Sequence, residues 1–307
     1  MKIYIYGAGA LGQAFLEFLK EYKVEGNISG FIDKRYDSIK EVGGIRVFAP
    51  EILDDGQVYC VLAISNSNDR DELSKKMKDK GIKVISLDFF ANIAGMDKVE
   101  FNRRFCAFYH VEHMNDYFES CEEEGAINRF WAEDSAFYKL FKQLDLSNVV
   151  ELACGRGRHV PRYIDQTKKV ILVDILEKNI EFCKGRFGNY ENITYYVNNG
   201  YNLEKIPTET VSSLFTYDAM VHFEMMDIYE YLKDIYRILK KDGKVLIHHS
   251  NYDEDYSASF ENAPNGRSFM SKQLFAYLAY RVGFTVKEQI VIDWGVKDLD
   301  CITLLEK

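Results

Sequence analysis

Two stretches of this 307-residue chain share one device, an apolar strand that runs straight into a glycine turn. The first is MKIYIYGAGALG at the start, and the second is VVELACGRGR at residues 149–158. A strand apolar along its whole length needs cover on both faces, which a parallel sheet between helix layers supplies. Glycines at the turn let the backbone take conformations closed to other residues and let a ligand come close to it. A following helix N-terminus would offer unpaired N–H groups. A chain of this length is also long for one core, so two α/β domains are expected.

Both halves alternate strand and helix. In the first, residues 2–6, ISGFIDK (28–34), GGIRVFAPE, VYCVLAIS (58–65) and KVISLDFF read as strands. Leu11, Phe15, Phe18, Leu19 and Tyr22 recur at helical spacing, and RDELSKKMKDKG is a charged helix stopping at Gly81. Such alternation predicts a doubly wound, Rossmann-like sheet with helices on both faces. Residues 95–145 carry no strand pattern and read as two or three aromatic-rich helices. Then come NVVELAC, KKVILVDI, ITYYVNN, VSSLFTYD, the helix IYEYLKDIYRILKKDG closed by Gly243, and KVLIHHSN. FTVKEQIVIDW and DCITLLEK follow as a final antiparallel pair. The expected division is 1–92, a helical linker or lid at 93–135, and 136–307.

Bulk chemistry narrows the function. The net charge is −9, and the dense charge run Glu122 to Glu124 is acidic. Nucleic-acid binding draws on lysine and arginine against phosphate, so no nucleic-acid partner is expected. No stretch reaches the roughly 20 apolar residues of a membrane span, and IYIY is too short for a signal peptide. Six scattered cysteines without a CxxC fit a reducing, cytoplasmic setting. Asp253, Glu254 and Asp255, and the helix-face run HVEH (110–113), lack a convincing ligand set, so no metal is expected.

The second loop lacks the third glycine of a dinucleotide site, because that spacing falls on Val160. Instead Glu151 opens it, and Asp174 closes the next strand. This combination resembles class I S-adenosylmethionine-dependent methyltransferases, whose first motif is acidic-x-Gly-x-Gly-x-Gly. Ala153 stands in the first glycine position, with Gly155 and Gly157 in the others. The likeness runs on through Asp174, Asn199 in NNGYNL, TYDAMVHFE, LKKDGKVLI and the closing antiparallel strands, over roughly residues 130–307. It implies a seven-stranded sheet and S-adenosylmethionine as cofactor. Glu151 would then help bind the methionine amino group, Asp174 the ribose hydroxyls, and Asn199 the adenine amino edge. Ala153, Gly155, Gly157, Ile175, Gly200 and Tyr217 would line the same site.

The first loop does satisfy the dinucleotide spacing, with Gly7, Gly9 and Gly12, and Asp33 follows Gly12 at the end of the second strand. Locally this is an NAD pattern. The order IYGAGALG, GFIDK, GGIRVFAPE, VLAIS resembles an N-terminal domain of bacterial sugar-modifying enzymes, which binds the UDP part of a nucleotide-sugar. The alternative is a degenerate domain kept for packing or for a homodimer.

If a hydroxyl receives the methyl group, a base must take its proton. Ligands of open α/β sheets bind beyond the carboxyl ends of the strands. His222, in DAMVHFE, is the first candidate there, with Asp218 and Glu224 near in sequence; His249 is the second. His248, Asn251 and Arg267 are candidates to hold the acceptor, with Asn265 and Ser268 in the same polar loop as Arg267. For His248 or His249 the alternative is a satisfied structural histidine. The resulting expectation is O-methylation of a sugar or nucleotide-sugar in surface-glycan synthesis. The rivals are an NAD-dependent oxidoreductase, a bifunctional enzyme, and a non-catalytic nucleotide-binding protein.

Overall fold

A computed structural model describes residues 2–55, 58–64, 66–112, 115–256 and 263–307. The chain divides into two compact units, Met1–Asn115 with Glu261–Pro264, and Asp116–Phe260 with Asn265–Lys307.

The first unit contains β1 (Lys2–Tyr6), α1 (Ala10–Glu21), β2 (Ile28–Ile32), β3 (Glu41–Val42), β4 (Ile45–Phe48), β5 (Val58–Leu62), α2 (Ser67–Asp79), β6 (Lys83–Ile85) and α3 (Lys98–Glu112). Its six strands run β3-β4-β2-β1-β5-β6. All neighbours pair in parallel except β3 with β4. Alternate residues of β1 face opposite cores. Ile3 and Ile5 pack with Phe15, Phe18 and Leu19 of α1, whereas Tyr4 and Tyr6 pack with Met77 and Leu73 of α2.

The first unit also keeps α3, which the sequence had put in a linker. Phe101 and Phe105 of α3 are almost fully buried and meet the rings of Phe15 and Phe18 edge-on or tilted. Burying each such ring contributes about 1.5–3 kcal/mol, which is why the aromatic helix stays with the sheet. The stretch KVISLDFF is shorter as a strand than expected, because a 3-10 turn takes over at Leu87–Phe90.

The second unit contains most of α4 (Asn115–Glu122), then α5 (Glu124–Trp131), α6 (Ala136–Phe141), β7 (Asn148–Leu152), β8 (Lys169–Asp174), α7 (Glu177–Phe187), β9 (Ile193–Val197), β10 (Val211–Thr216), α8 (Met225–Ile238), β11 (Leu239–Ser250), α9 (Lys272–Val282), β12 (Thr285–Ile292) and β13 (Asp300–Glu306). Its seven strands run β12-β13-β11-β10-β7-β8-β9. β13 is antiparallel to both of its neighbours, as the closing pattern predicted. Val150, Leu214 and Val245 face α8 and α9, while their neighbours Val149, Phe215 and Leu246 face α6 and α7. Each central strand is therefore buried on both faces because it serves two cores.

Two expectations fail here for local reasons. No α-helix follows the glycine loop; 3-10 turns at Val160–Arg162 and Ile164–Gln166 stand in its place. Pro161 lies in the first of these turns, at a helix-start position where its missing N–H leaves no bond unmade. The helix before β11 also stops at Ile238 rather than near Gly243. Leu239 is buried and already pairs with Val211, and the strand bulges through Asp242 (φ 63°) before the ladder resumes at Lys244.

No helix among the described residues is long and apolar enough to cross a membrane. Nor does any group of three or more His, Cys, Asp or Glu among them sit where a metal could be held. The side chains of HVEH lie outside the described residues.

Candidate active site

β10, β7 and β8 are parallel neighbours, so their carboxyl ends share one edge of the sheet. The segment after β7 turns through left-handed backbone at Ala153 (φ 56°), Gly155 (φ 53°) and Gly157 (φ 75°). A Cβ on Gly157 would lie 2.5 Å from the ring of Phe187, so that glycine is required by packing. Asp174 ties the loop to β8. Its carboxylate accepts from Gly155 N–H at 2.9 Å, Leu176 N–H at 2.9 Å and Asn179 Nδ2 at 3.2 Å. Ile175 follows directly and Gly200 begins its own turn with φ 87°.

Glu151 is 2% exposed and accepts from the Tyr163 hydroxyl at 2.6 Å. Burial pushes its carboxyl up to about 8, against the opposing pull of that hydroxyl and of Arg158. Such a group ionises readily only when a cation arrives beside it. Asn199 behaves differently from the expectation. Its Oδ1 accepts from Tyr201 N–H at 3.1 Å and Asn202 N–H at 3.0 Å, so the amide oxygen closes its own turn.

Asp218 sits just past β10 with left-handed φ 57°. Its carboxylate accepts from the Tyr117 hydroxyl of α4 and, at 3.1 Å, from Arg158 Nη2. Burial opposes its charge, yet Arg158, His248, Tyr117 and His222 together hold the carboxyl below its ordinary range. Four residues on, His222 Nδ1 lies 2.7 Å from the Gly266 carbonyl. A carbonyl only accepts, so the proton is on Nδ1 and the neutral ring's lone pair is on Nε2.

The other proposed contacts lie deeper. His248 is fully buried between Asp218 N–H, which donates to Nδ1 at 3.0 Å, and Asp300 Oδ2, 3.0 Å from Nε2. The ring of Tyr217 stacks on it at 4.6 Å. His249 is equally buried, with Nδ1 2.8 Å from the Ser250 carbonyl, Nε2 2.8 Å from Thr303 Oγ1, and its ring 3.8 Å from that of Phe275. Burial drives its imidazole down to about 3. Arg267 is 2% exposed and forks onto Asp300 at 2.9 and 2.6 Å. Asn251 accepts from Lys272 N–H and donates to the Asp298 carbonyl, which anchors α9 and the β12–β13 loop. His248, His249 and Arg267 are thus buried, and Asn251 is partly buried between α9 and the β12–β13 loop. Each has its polar atoms spent on the protein itself.

Sequence reasoning overlooked Tyr117 and Arg158. Arg158 stood in the quoted loop, directly after Gly157, but its role depends on Asp218, which is 60 residues away. His159, also buried, lies between Arg158 Nε (3.2 Å) and Trp131 Nε1 (3.1 Å). A neutral ring accepts only one of those two N–H groups.

In the first unit, a Cβ on Gly7 would meet the Ala63 carbonyl oxygen at 2.3 Å, and one on Gly12 the Gly7 oxygen at 2.0 Å. One on Gly9 would meet nothing within 4 Å. Asp33 accepts from Ala8 N–H and from three N–H groups of Arg35, all at 2.9–3.0 Å. Arg35 holds its carboxyl down to about 2. The acid expected to receive a ribose therefore has its acceptor sites taken by the protein's own N–H groups.

Residues 149–243 match the family model of a methyltransferase domain. No curated protein matches this sequence. Among solved structures, the chain is similar to a SAM dependent methyltransferase from Aquifex aeolicus, with 13% identity over 62% of this chain and 97% of that one and a TM-score of 0.46. An S-adenosylmethionine dependent methyltransferase from Mesorhizobium loti gives 12% identity, 56% and 97% coverage and a TM-score of 0.46. Geranyl diphosphate C-methyltransferase from Streptomyces coelicolor A3(2) gives 11%, 55% and 75%, and 0.46. The segment that carries the Glu151 loop and Asp174 is therefore similar to a methyltransferase domain.

Proposed function

We propose that the chain methylates a hydroxyl oxygen of a small sugar-type acceptor, with His222 as the base. The residues fit the cofactor: a buried carboxyl at Glu151 that would welcome an ammonium, small residues at Ala153 and Gly155, and Asp174 beside the loop. S-adenosylmethionine, when bound, supplies an electrophilic methyl carbon on a sulfonium. His222 Nε2 would take the proton that the acceptor oxygen gives up as it is methylated. The tautomer set by Gly266 carries this reading, because it leaves Nε2 as the basic nitrogen. Asp218, whose carboxylate feels the His222 charge, would stabilise the imidazolium.

The sugar-type acceptor, and a place in surface-glycan synthesis, rest on the resemblance of the first unit to nucleotide-sugar-binding domains and on the open space beside Gly9. A nicotinamide role would require Asp33 to give up its forked ion pair with Arg35. A thermal-shift panel with S-adenosylhomocysteine, UDP-sugars, NAD and NADP tests both units. A ligand at 100 times its dissociation constant adds about 2.7 kcal/mol, which is a shift of several degrees. Stabilisation by NAD with none by S-adenosylhomocysteine would overturn the proposal.

A further inference from the structure

Arg158 is a buried cation with unfinished hydrogen bonding. Its side chain is 12% exposed, and its carbon sits 5.9 Å from the ring centre of Tyr117 and 5.7 Å from that of Phe130. Of the five N–H groups on a guanidinium, one reaches Asp218 and one points at His159, for which Trp131 competes. Nη1 is buried and has no hydrogen-bond partner among the described residues. An unpaired N–H on a buried charge is costlier than one on a neutral group, so this nitrogen calls for an acceptor, best an anionic one.

The neighbourhood says which anion. Glu151, at the end of β7, is close enough to feel the Arg158 charge, and its Oε2 is already taken by Tyr163. A carboxyl with no cation bonded to it and a guanidinium with an unpartnered Nη1 thus flank one glycine loop. An α-amino acid head group answers both, since it carries an ammonium and a carboxylate on one carbon. We propose that Arg158 Nη1 holds the α-carboxylate of the methionine half of the cofactor, across from the ammonium at Glu151. Asp218 and the two aromatic rings position the guanidinium, and Asp218 also links it to the base, His222. This inference rests on the methyltransferase reading above.

Calorimetry on the full chain with three ligands tests it: S-adenosylhomocysteine, its decarboxylated analogue, which keeps the amine, and 5′-methylthioadenosine, which has neither group. The wild-type chain should bind S-adenosylhomocysteine about ten- to hundred-fold more tightly than the decarboxylated analogue, the range for one charge-assisted pair. In Arg158→Met that ratio should fall to about one, while 5′-methylthioadenosine affinity stays within about two-fold. Arg158→Lys, which keeps the charge facing Asp218, should recover part of the ratio and covers the case in which the methionine variant does not fold. A ratio near one in the wild-type chain, or one undiminished in Arg158→Met and Arg158→Lys, overturns the proposal. So does an unchanged S-adenosylhomocysteine affinity with a raised acceptor KM, which would give Arg158 to the acceptor instead. Binding of 5′-methylthioadenosine shows that the nucleoside site exists whatever becomes of Arg158. If the wild-type chain binds none of the three, the methyltransferase reading itself fails.

Discussion

The backbone N–H of Asp218 donates to His248 Nδ1 at 3.0 Å, across the ends of two neighbouring strands. That bond makes Nδ1 an acceptor, so the ring's proton is on Nε2 and is given to Asp300, which Arg267 clamps from its other side. The chain Arg267–Asp300–His248 thereby fixes the left-handed backbone of Asp218, the residue that binds Arg158 and Tyr117. A buried polar network of this kind is stable only when every member is satisfied.

Replacing His222 with alanine should lower turnover by about 10²–10⁴-fold and leave S-adenosylhomocysteine affinity nearly intact. Steady-state rates of methyl transfer to an unmethylated acceptor, paired with calorimetry, check this. A near-normal turnover number would remove His222 from the mechanism.

His249 should behave as a stability residue. Its folded imidazole titrates near 3, below the unfolded value of about 6.5, so the unfolded chain takes up a proton first as pH falls. Stability should therefore drop between about pH 6.5 and 3, by up to about 1.4 kcal/mol per pH unit, relative to His249→Asn. Denaturation curves of both proteins at pH 7 and pH 5 give the difference. Parallel losses would show that His249 is not held neutral.

Glu151 runs the other way. With its folded carboxyl raised to about 8, the unfolded chain loses its proton first as pH rises above about 4.5. The wild-type chain should lose stability relative to Glu151→Gln between about pH 4.5 and 8, and that difference should level off above it. Melting temperatures across that window are the measurement, and a flat difference would place Glu151 in an ordinary carboxylate setting.

Two glycines should separate packing from open space. Gly157→Ala puts a Cβ 2.5 Å from Phe187 at φ 75° and should cost about 1–3 kcal/mol. Gly9→Ala has φ −82° and free room, and should leave stability within about 1 kcal/mol of the wild type. Equal losses in the two melting curves would contradict the loop geometry.

Asp174→Ala should weaken S-adenosylhomocysteine binding by about 1.5–3 kcal/mol, both through the ribose and through the freed Gly155 N–H. Calorimetry showing unchanged affinity would take Asp174 out of the site.

What the sequence determined was everything written in local order. Continuous apolar runs such as VILV marked strands buried on both faces, and glycines after strands marked the two loops. The closing antiparallel pair was legible because FTVKEQIVI and CITLLE each kept strand composition across one short loop. Acidic residues at strand ends, Glu151 and Asp174, were legible as site candidates for the same reason. Tertiary structure decided where polar atoms are spent. His222, His248 and His249 look alike in sequence, yet only the Gly266 carbonyl, Asp300 and Thr303, each more than 40 residues away, assign them different work. Arg267 and Asn251, polar in a polar stretch, turn inward because Asp300 and the start of α9 need them. The unfinished guanidinium of Arg158 is a property of three separate segments packed together, and no spacing along the chain encodes it.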